Sequence, residues 1–243
     1  MNRVSIRQSL AACLLVVPFA VSAWELGPTA SYADAGESLN VNGRFVHLKT
    51  GGVGLRASQS LFSQHLSVDF SALYGAVGSA NATFSGADVS GPAHLSTYKA
   101  NLTLYWLPES QATPYVRVGH VRQSGDTDFT GSRNGSPVRG SAQLELDSTE
   151  AALGIRWVAS ESVSLFGEAG QHDWRLNSDA TGTVGALRAR TQIQADHKDP
   201  FFRVGLTLHR ANWRGTVSLG QYRMTADNQT QTRNIDASLM YAF

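Results

Sequence analysis

Tyr98-Lys99-Ala100-Asn101-Leu102-Thr103-Leu104-Tyr105-Trp106 decides the fold. Tyr98, Ala100, Leu102, Leu104 and Trp106 share one face, and Lys99, Asn101, Thr103 and Tyr105 share the other. A period of two is that of a β-strand, with one apolar and one polar side. The eight-residue step from Tyr98 to Trp106 covers roughly 20 Å along a membrane normal, at ~3.3 Å per residue and ~40° tilt. The stretch is long enough to cross a bilayer with an aromatic residue at each interface.

The split recurs along the chain. Leu66, Val68, Phe70, Ala72 and Tyr74 oppose Ser67, Asp69 and Ser71; Ala151, Leu153, Ile155 and Trp157 oppose Glu150, Gly154 and Arg156. Leu165 and Ala169 oppose Ser164, Glu168 and His172, while Val204, Leu206 and Leu208 oppose Arg203, Thr207 and His209. A soluble β-sandwich also alternates, so two further features have to decide. The connections after Ala57, Leu107, Val158 and Arg210 are tight, whereas those after Val77, Ser124 and Asn177 are long and rich in Gly, Ser, Asp, Asn and Thr. Strict alternation of short and long connections suits short periplasmic turns and long outer loops. The aromatics fall into two bands. Trp106, Trp157 and Trp213 lie beside the short turns together with Trp24 and Phe243; Tyr74, Tyr98, Trp174, Phe202 and Tyr222 lie toward the long connections. Two girdles at bilayer spacing point to a membrane.

The spacing predicts an all-β, antiparallel up-and-down transmembrane β-barrel of about ten strands, over 24–34, 41–57, 64–78, 95–107, 113–124, 142–158, 162–177, 198–210, 213–226 and 231–243. Gly27-Pro28 interrupts the first, so eight is the alternative; with both termini periplasmic the number is even. Gly51-Gly52 breaks the phase between Val46/Leu48 and Val53/Leu55, and a β-bulge is expected there.

Ahead of this domain, Met1–Gln8 carries two arginines, Leu10–Val21 is apolar, and Val21-Ser22-Ala23 ends in small residues. This is the layout of a cleaved secretory signal, leaving 24–243 as a single barrel domain. Leu10-Ala11-Ala12-Cys13 looks like a lipid-attachment box, but the apolar core follows Cys13 instead of preceding it. Cys13 is the only cysteine, so the mature chain has no disulfide or thiolate chemistry. Removing Arg3 and Arg7 turns 20 Lys+Arg against 19 Asp+Glu into 18 against 19, which gives no electrostatic case for nucleic acid.

Ile235-Asp236-Ala237-Ser238-Leu239-Met240-Tyr241-Ala242-Phe243 closes the chain with alternate apolar positions and a terminal Phe. Through Leu239, Tyr241 and Phe243 it resembles the closing-strand signal of bacterial outer-membrane β-barrel proteins. The resemblance implies insertion by the barrel-assembly machinery, a place in the outer membrane of a Gram-negative cell, and contact with its lipid and lipopolysaccharide. A monomer is expected.

The resemblance also raises catalysis, because some such barrels are enzymes. Omptin proteases are ten-stranded barrels with acidic residues and a histidine at the outer rim. Here His172-Asp173 and Asp196-His197 lie toward that end, but adjacent strand residues point to opposite faces. Lipid-modifying barrels use Ser and His; His47, His65, His94, His120 and His209 are available, and no spacing singles out a nucleophile. No catalytic residue is assigned and no enzyme activity is expected. No cofactor or metal is expected either, since ligand-spaced His/Cys clusters, Asp-rich calcium loops and glycine-rich phosphate loops are absent.

What remains is the set of charges phased inward: Arg56, Lys99, Arg117, Arg156, Arg203 and Arg214 against Asp69, Glu150, Glu168 and Asp236. One reading is a paired network filling a narrow barrel; the other is a small-solute pore leaning toward anions. Ten strands widen the interior only modestly over eight, which favours the filled barrel, while the arginine excess keeps the pore open as a reading. The outer loops at 78–95, 125–142 and 178–197 offer surface recognition as a further role. Their Arg133, Arg139, Arg188 and Arg190 suit lipopolysaccharide phosphates.

Overall fold

The computed structural model describes residues 24–36, 38–41, 43–62 and 64–243. The signal-peptide reading of 1–23 lies outside the described residues. The strands are β1 (Trp24–Asp34), β2 (Leu39–Val41), β3 (Arg44–Leu61), β4 (Leu66–Phe84), β5 (Ala87–Tyr105), β6 (Ala112–Arg133), β7 (Ser136–Ser160), β8 (Val163–Val184), β9 (Leu187–Arg210), β10 (Trp213–Thr225) and β11 (Gln229–Ala242). From β2 to β11 each pairs antiparallel with the next, and β1 pairs with both β3 and β11, which closes the ring. β2 continues the line of β1 along β3, through Leu39↔Val46 and Val41↔Arg44, so the described residues form a ring of ten staves. Gly27 and Pro28 stay in β1, paired to Arg56 and Leu55 of β3; pairing with β11 lapses there, between Leu26↔Tyr241 and Thr29↔Ser238. Pro28 has no N–H to give, so the lapse costs the ladder little. Trp24, the first described residue, and Phe243 lie together at the short-turn end, where Phe243 N–H donates to the Trp24 carbonyl at 3.1 Å.

The long outer connections are not loops. β4–β5, β6–β7 and β8–β9 continue as paired ribbons through residues 78–95, 125–142 and 178–197, and turn only at Ser85-Gly86, Asn134-Gly135 and Gly185-Ala186. Ser85 and Gly86 have φ of 51° and 77°, and Asn134 and Gly135 of 49° and 79°. Positive φ at both central residues is what a two-residue hairpin with right-handed strand twist demands.

The ribbons persist because the two faces exchange solvents. On β8 the inward series begins Ser164, Glu168, His172 and continues Trp174, Leu176, Ala180, Val184, while the outward series runs from Leu165 and Ala169 to Asp173, Arg175 and Asp179. Within the membrane the outside is apolar and the inside polar; beyond it the outside meets water and the inside becomes a dry core. β7 does the same, from outward Trp157, Ile155 and Leu153 to outward Asp147 and Glu145, with inward Leu146, Leu144 and Val138. The apparent phase break at Gly51-Gly52 reflects the same exchange: Val46 is buried inside, whereas Val53 and Leu55 are exposed on the lipid side. The expected bulge is also present, as a register shift between Gly51 and Val53 where β3 meets β4.

Two apolar clusters fill the outer half. Leu39, Val41 and Val46 of β2–β3 pack on Trp174, Leu176 and Ile193 of β8–β9. These walls lie on opposite sides of the ring, and their contact narrows its outer half. The hairpin tips enclose Phe84, Ala87, Val89, Phe129 and Val138, with the Phe84 and Phe129 rings 5.0 Å apart. Asn228 fastens the first hairpin over the mouth: its Oδ1 accepts from Asn40 N–H at 2.6 Å and its Nδ2 donates to the Ser38 carbonyl at 2.9 Å.

Candidate functional site

The lumen within the membrane is built by strands whose inward positions alternate charged side chains with small ones. Arg117 on β6 is level with Ala152 on β7, which is level with Gly170 on β8. Those small neighbours let the guanidinium reach Glu168 past β7. Glycine also makes room for bulk: a Cβ on Gly154 would lie 2.2 Å from the Tyr115 ring.

Glu168 is the hub. Arg117 Nε and Nη2 donate to its Oε1 at 3.0 and 2.7 Å, Arg203 Nη2 lies at 3.0 Å and Tyr115 OH donates to Oε2 at 3.1 Å. The remaining Arg117 donors reach Glu150 at 2.8 Å and Asn101 Oδ1 at 2.8 Å. The side chains of Arg117 and Glu168 are 4% and 0% exposed. Charges so far from water persist only when paired and fully hydrogen-bonded, as these are. Around the hub, Arg56 pairs with Asp69 at 2.6 Å and Lys99 with Asp236 at 2.8 Å. Arg214 pairs with Glu25, an acid that the interrupted phase of β1 hid from the sequence reading. Arg156 differs: its Nη2 donates to the Pro108 carbonyl at 2.7 Å and its guanidinium stacks 4.9 Å from the Tyr105 ring. All ten charges expected in the lumen line it or its hub.

Trp106, Trp157 and Trp213 are exposed in one band, with Trp213 edge-on to Tyr241 and Tyr241 to Phe243; Tyr74 and Tyr98 are exposed in the other. Leu239 is likewise exposed on the lipid side. Trp174 and Tyr222 do not belong to a girdle. Trp174 is 1% exposed inside the outer core, and its indole N–H donates to Asp199 at 2.9 Å. Tyr222 is stacked inside on Phe201, 5.0 Å between centroids, with His172 edge-on at 5.3 Å. An even number of residues separates Trp174 from Glu168 and Tyr222 from Arg214, so strand parity puts both inside. Brominated lipid tails are therefore expected to quench Trp106, Trp157 and Trp213 while leaving Trp174 bright, a difference single-tryptophan variants will read.

His172 and Asp173 do not converge. His172 Nε2–H donates to the Arg223 carbonyl at 2.7 Å and Nδ1 lies 3.4 Å from Ser148 Oγ, whereas Asp173 points outward to Lys198 at 3.3 Å. The outer face carries paired charges: Arg122 with Glu145 and Asp147 at 3.8 and 3.9 Å, and Arg190 with Asp179. The Arg190 hydrogen bond, joined by Gln192, holds the Asp179 carboxyl down at about 2. Arg133, Arg139, Arg188 and Arg190 sit near the hairpin tips, roughly 25 Å beyond the apolar belt at ~3.3 Å per residue and ~40° tilt.

A closed antiparallel ring with a lipid-facing apolar belt and a polar interior is the architecture of the bacterial outer-membrane β-barrels. Among solved structures the chain resembles the translocator domain of autotransporter NalP from Neisseria meningitidis, with TM-score 0.59, 9% identity, and 98% of this chain and 94% of that one covered. It is also similar to the outer membrane protease OmpT from Escherichia coli, with TM-score 0.60, 10% identity and coverages of 94% and 99%. The β domain of the Bordetella autotransporter BrkA gives TM-score 0.55 at 11% identity, over 91% and 100%. At such identities the likeness establishes the fold. No protein-family model and no curated protein matches the sequence.

Proposed function

We propose that the protein is a non-conducting, non-enzymatic barrel of the bacterial outer membrane, with periplasmic termini, that holds a rigid β-structured head above the cell surface for recognition. The observation that carries this reading is the contact of opposite walls at Leu39, Val41, Val46, Trp174, Leu176 and Ile193. It lies above a lumen whose arginines, apart from Arg156, are already committed to carboxylates. The pairing supports the filled barrel over the anion-leaning pore. Lipid and lipopolysaccharide are the surrounding partners. Arg122, Arg175 and Lys198, directly above the belt, suit headgroup phosphates by height, and the tip arginines suit a ligand further out. Insertion by the barrel-assembly machinery and a monomeric state complete the reading. The refolded mature chain in a planar bilayer is expected to be electrically silent. Steady anion-selective steps would overturn the proposal and restore the pore.

A further inference from the structure

Below the plug the lumen is not fully packed. A cavity of about 190 Å³ extends from the hub toward the short-turn end, where Ser58, Ser67, Thr103, Ser164, Thr207 and Thr216 line it with hydroxyls. Leu73 and the packed hub line its outer part. The volume and the hydroxyl lining suit a small, strongly hydrated solute entering from the periplasmic side.

The charge on and against its walls leans positive, six cations to five carboxylates among the described residues. All six lumenal Lys and Arg line the cavity, but only three carboxylates do: Asp69, Glu168 and Asp236. The other two lumenal acids, Glu150 and Glu25, engage Arg117 and Arg214 from outside that lining set. His209, beside Arg214 in the ladder, adds a further nitrogen base to the wall. Three guanidinium nitrogens on the wall, the Nε atoms of Arg156, Arg203 and Arg214, are buried and have no hydrogen-bond partner among the described residues. Buried donors left without acceptors are costly, and such groups are ordinarily satisfied by water, an ion or a ligand. Arg156 is the clearest of them, because among the described residues it meets a carbonyl and an aromatic ring and no carboxylate.

We infer that this cavity is a binding site for a small free oxyanion of phosphate type, held chiefly by Arg156 and supported by Arg214 and Arg203. An oxyanion supplies several acceptors at once, matches the fork of a guanidinium, and neutralises the excess charge of the wall. Bulk chloride lacks that directionality. The site faces the short-turn end, where Trp24 and Phe243 meet, so on the proposed orientation the anion comes from the periplasm. A dead-end cup of this kind binds and does not transport. It is thus compatible with a silent barrel, and its failure would leave the conductance result untouched.

The test is calorimetric titration of the refolded barrel with inorganic phosphate in a chloride buffer, repeated with sulfate and with Arg156→Gln. Arg156→Gln strands no carboxylate, so it is expected to fold; retained heat-modifiable gel migration checks this. The expected result is saturable phosphate binding, competed by sulfate and weakened at least tenfold by Arg156→Gln, with Arg156→Lys intermediate. A wild-type barrel without saturable binding overturns the inference, as does an Arg156→Gln barrel that binds phosphate as the wild type does.

Discussion

Glu168→Ala is expected to lower the unfolding free energy of the barrel by about 3–5 kcal/mol, the range for breaking a buried ion pair from one side. The carboxylate is fully enclosed and accepts from Arg117, Arg203 and Tyr115 at once. Its removal leaves two guanidinium groups buried, with Glu150 as the remaining acid beside Arg117. Glu168→Gln keeps an acceptor oxygen and the shape but not the charge, so a smaller loss is expected. Arg156→Gln serves as the control, because its Pro108 and Tyr105 partners carry no charge. Urea unfolding of the three variants in lipid vesicles, followed by tryptophan fluorescence, measures the differences. A Glu168→Ala loss no greater than that of Arg156→Gln would mean that water reaches the hub, and would remove the argument for a filled lumen.

The hub and the ring were legible in the sequence for one reason: in the membrane, parity and polarity agree. The alternation in Tyr98–Trp106 fixes which residues face lipid, and counting in twos from such segments places Arg117, Glu150, Glu168 and Arg203 inside. Which acid meets which arginine was not legible, because reach across the ring depends on small neighbours such as Ala152 and Gly170, which pair by register. Glu25 was hidden by Gly27-Pro28. Trp174 and Tyr222 were legible by parity but misread by type, since an aromatic near an interface suggests a girdle even when its phase points inward. The outer hairpins were not legible from an outward apolar stripe, because their apolar residues face inward. Past Gln171 on β8, water replaces lipid outside, and the apolar face of the same strand turns inward. Asn134-Gly135 was available as a hairpin signal within a segment read as loop.

That exchange of faces makes the outer half separable from the ring beneath it, and Phe129→Asp is expected to show it. Phe129 is buried against Phe84 at the centre of the tip cluster. A carboxylate there would be unpaired in an apolar core, a cost of several kcal/mol even after relaxation. The cost falls on hairpins that have, besides their backbone ladder, a dry core as their support, since their outward faces are already hydrated. The ring below has its own sources of stability in the lipid-facing belt and the lumenal ion pairs. In Phe129→Asp the hairpins should therefore open while the ring still inserts. Protease added outside intact cells should then cut near 85–86, 134–135 and 185–186 in the variant, leaving membrane-protected fragments, whereas the wild type resists under the same conditions. A wild type cut as readily as the variant would return these segments to solvated loops; a variant as resistant as the wild type would mean that the ladder alone holds them. The first outcome would also undermine the surface-recognition role, because a rigid head depends on the same core that Phe129→Asp removes.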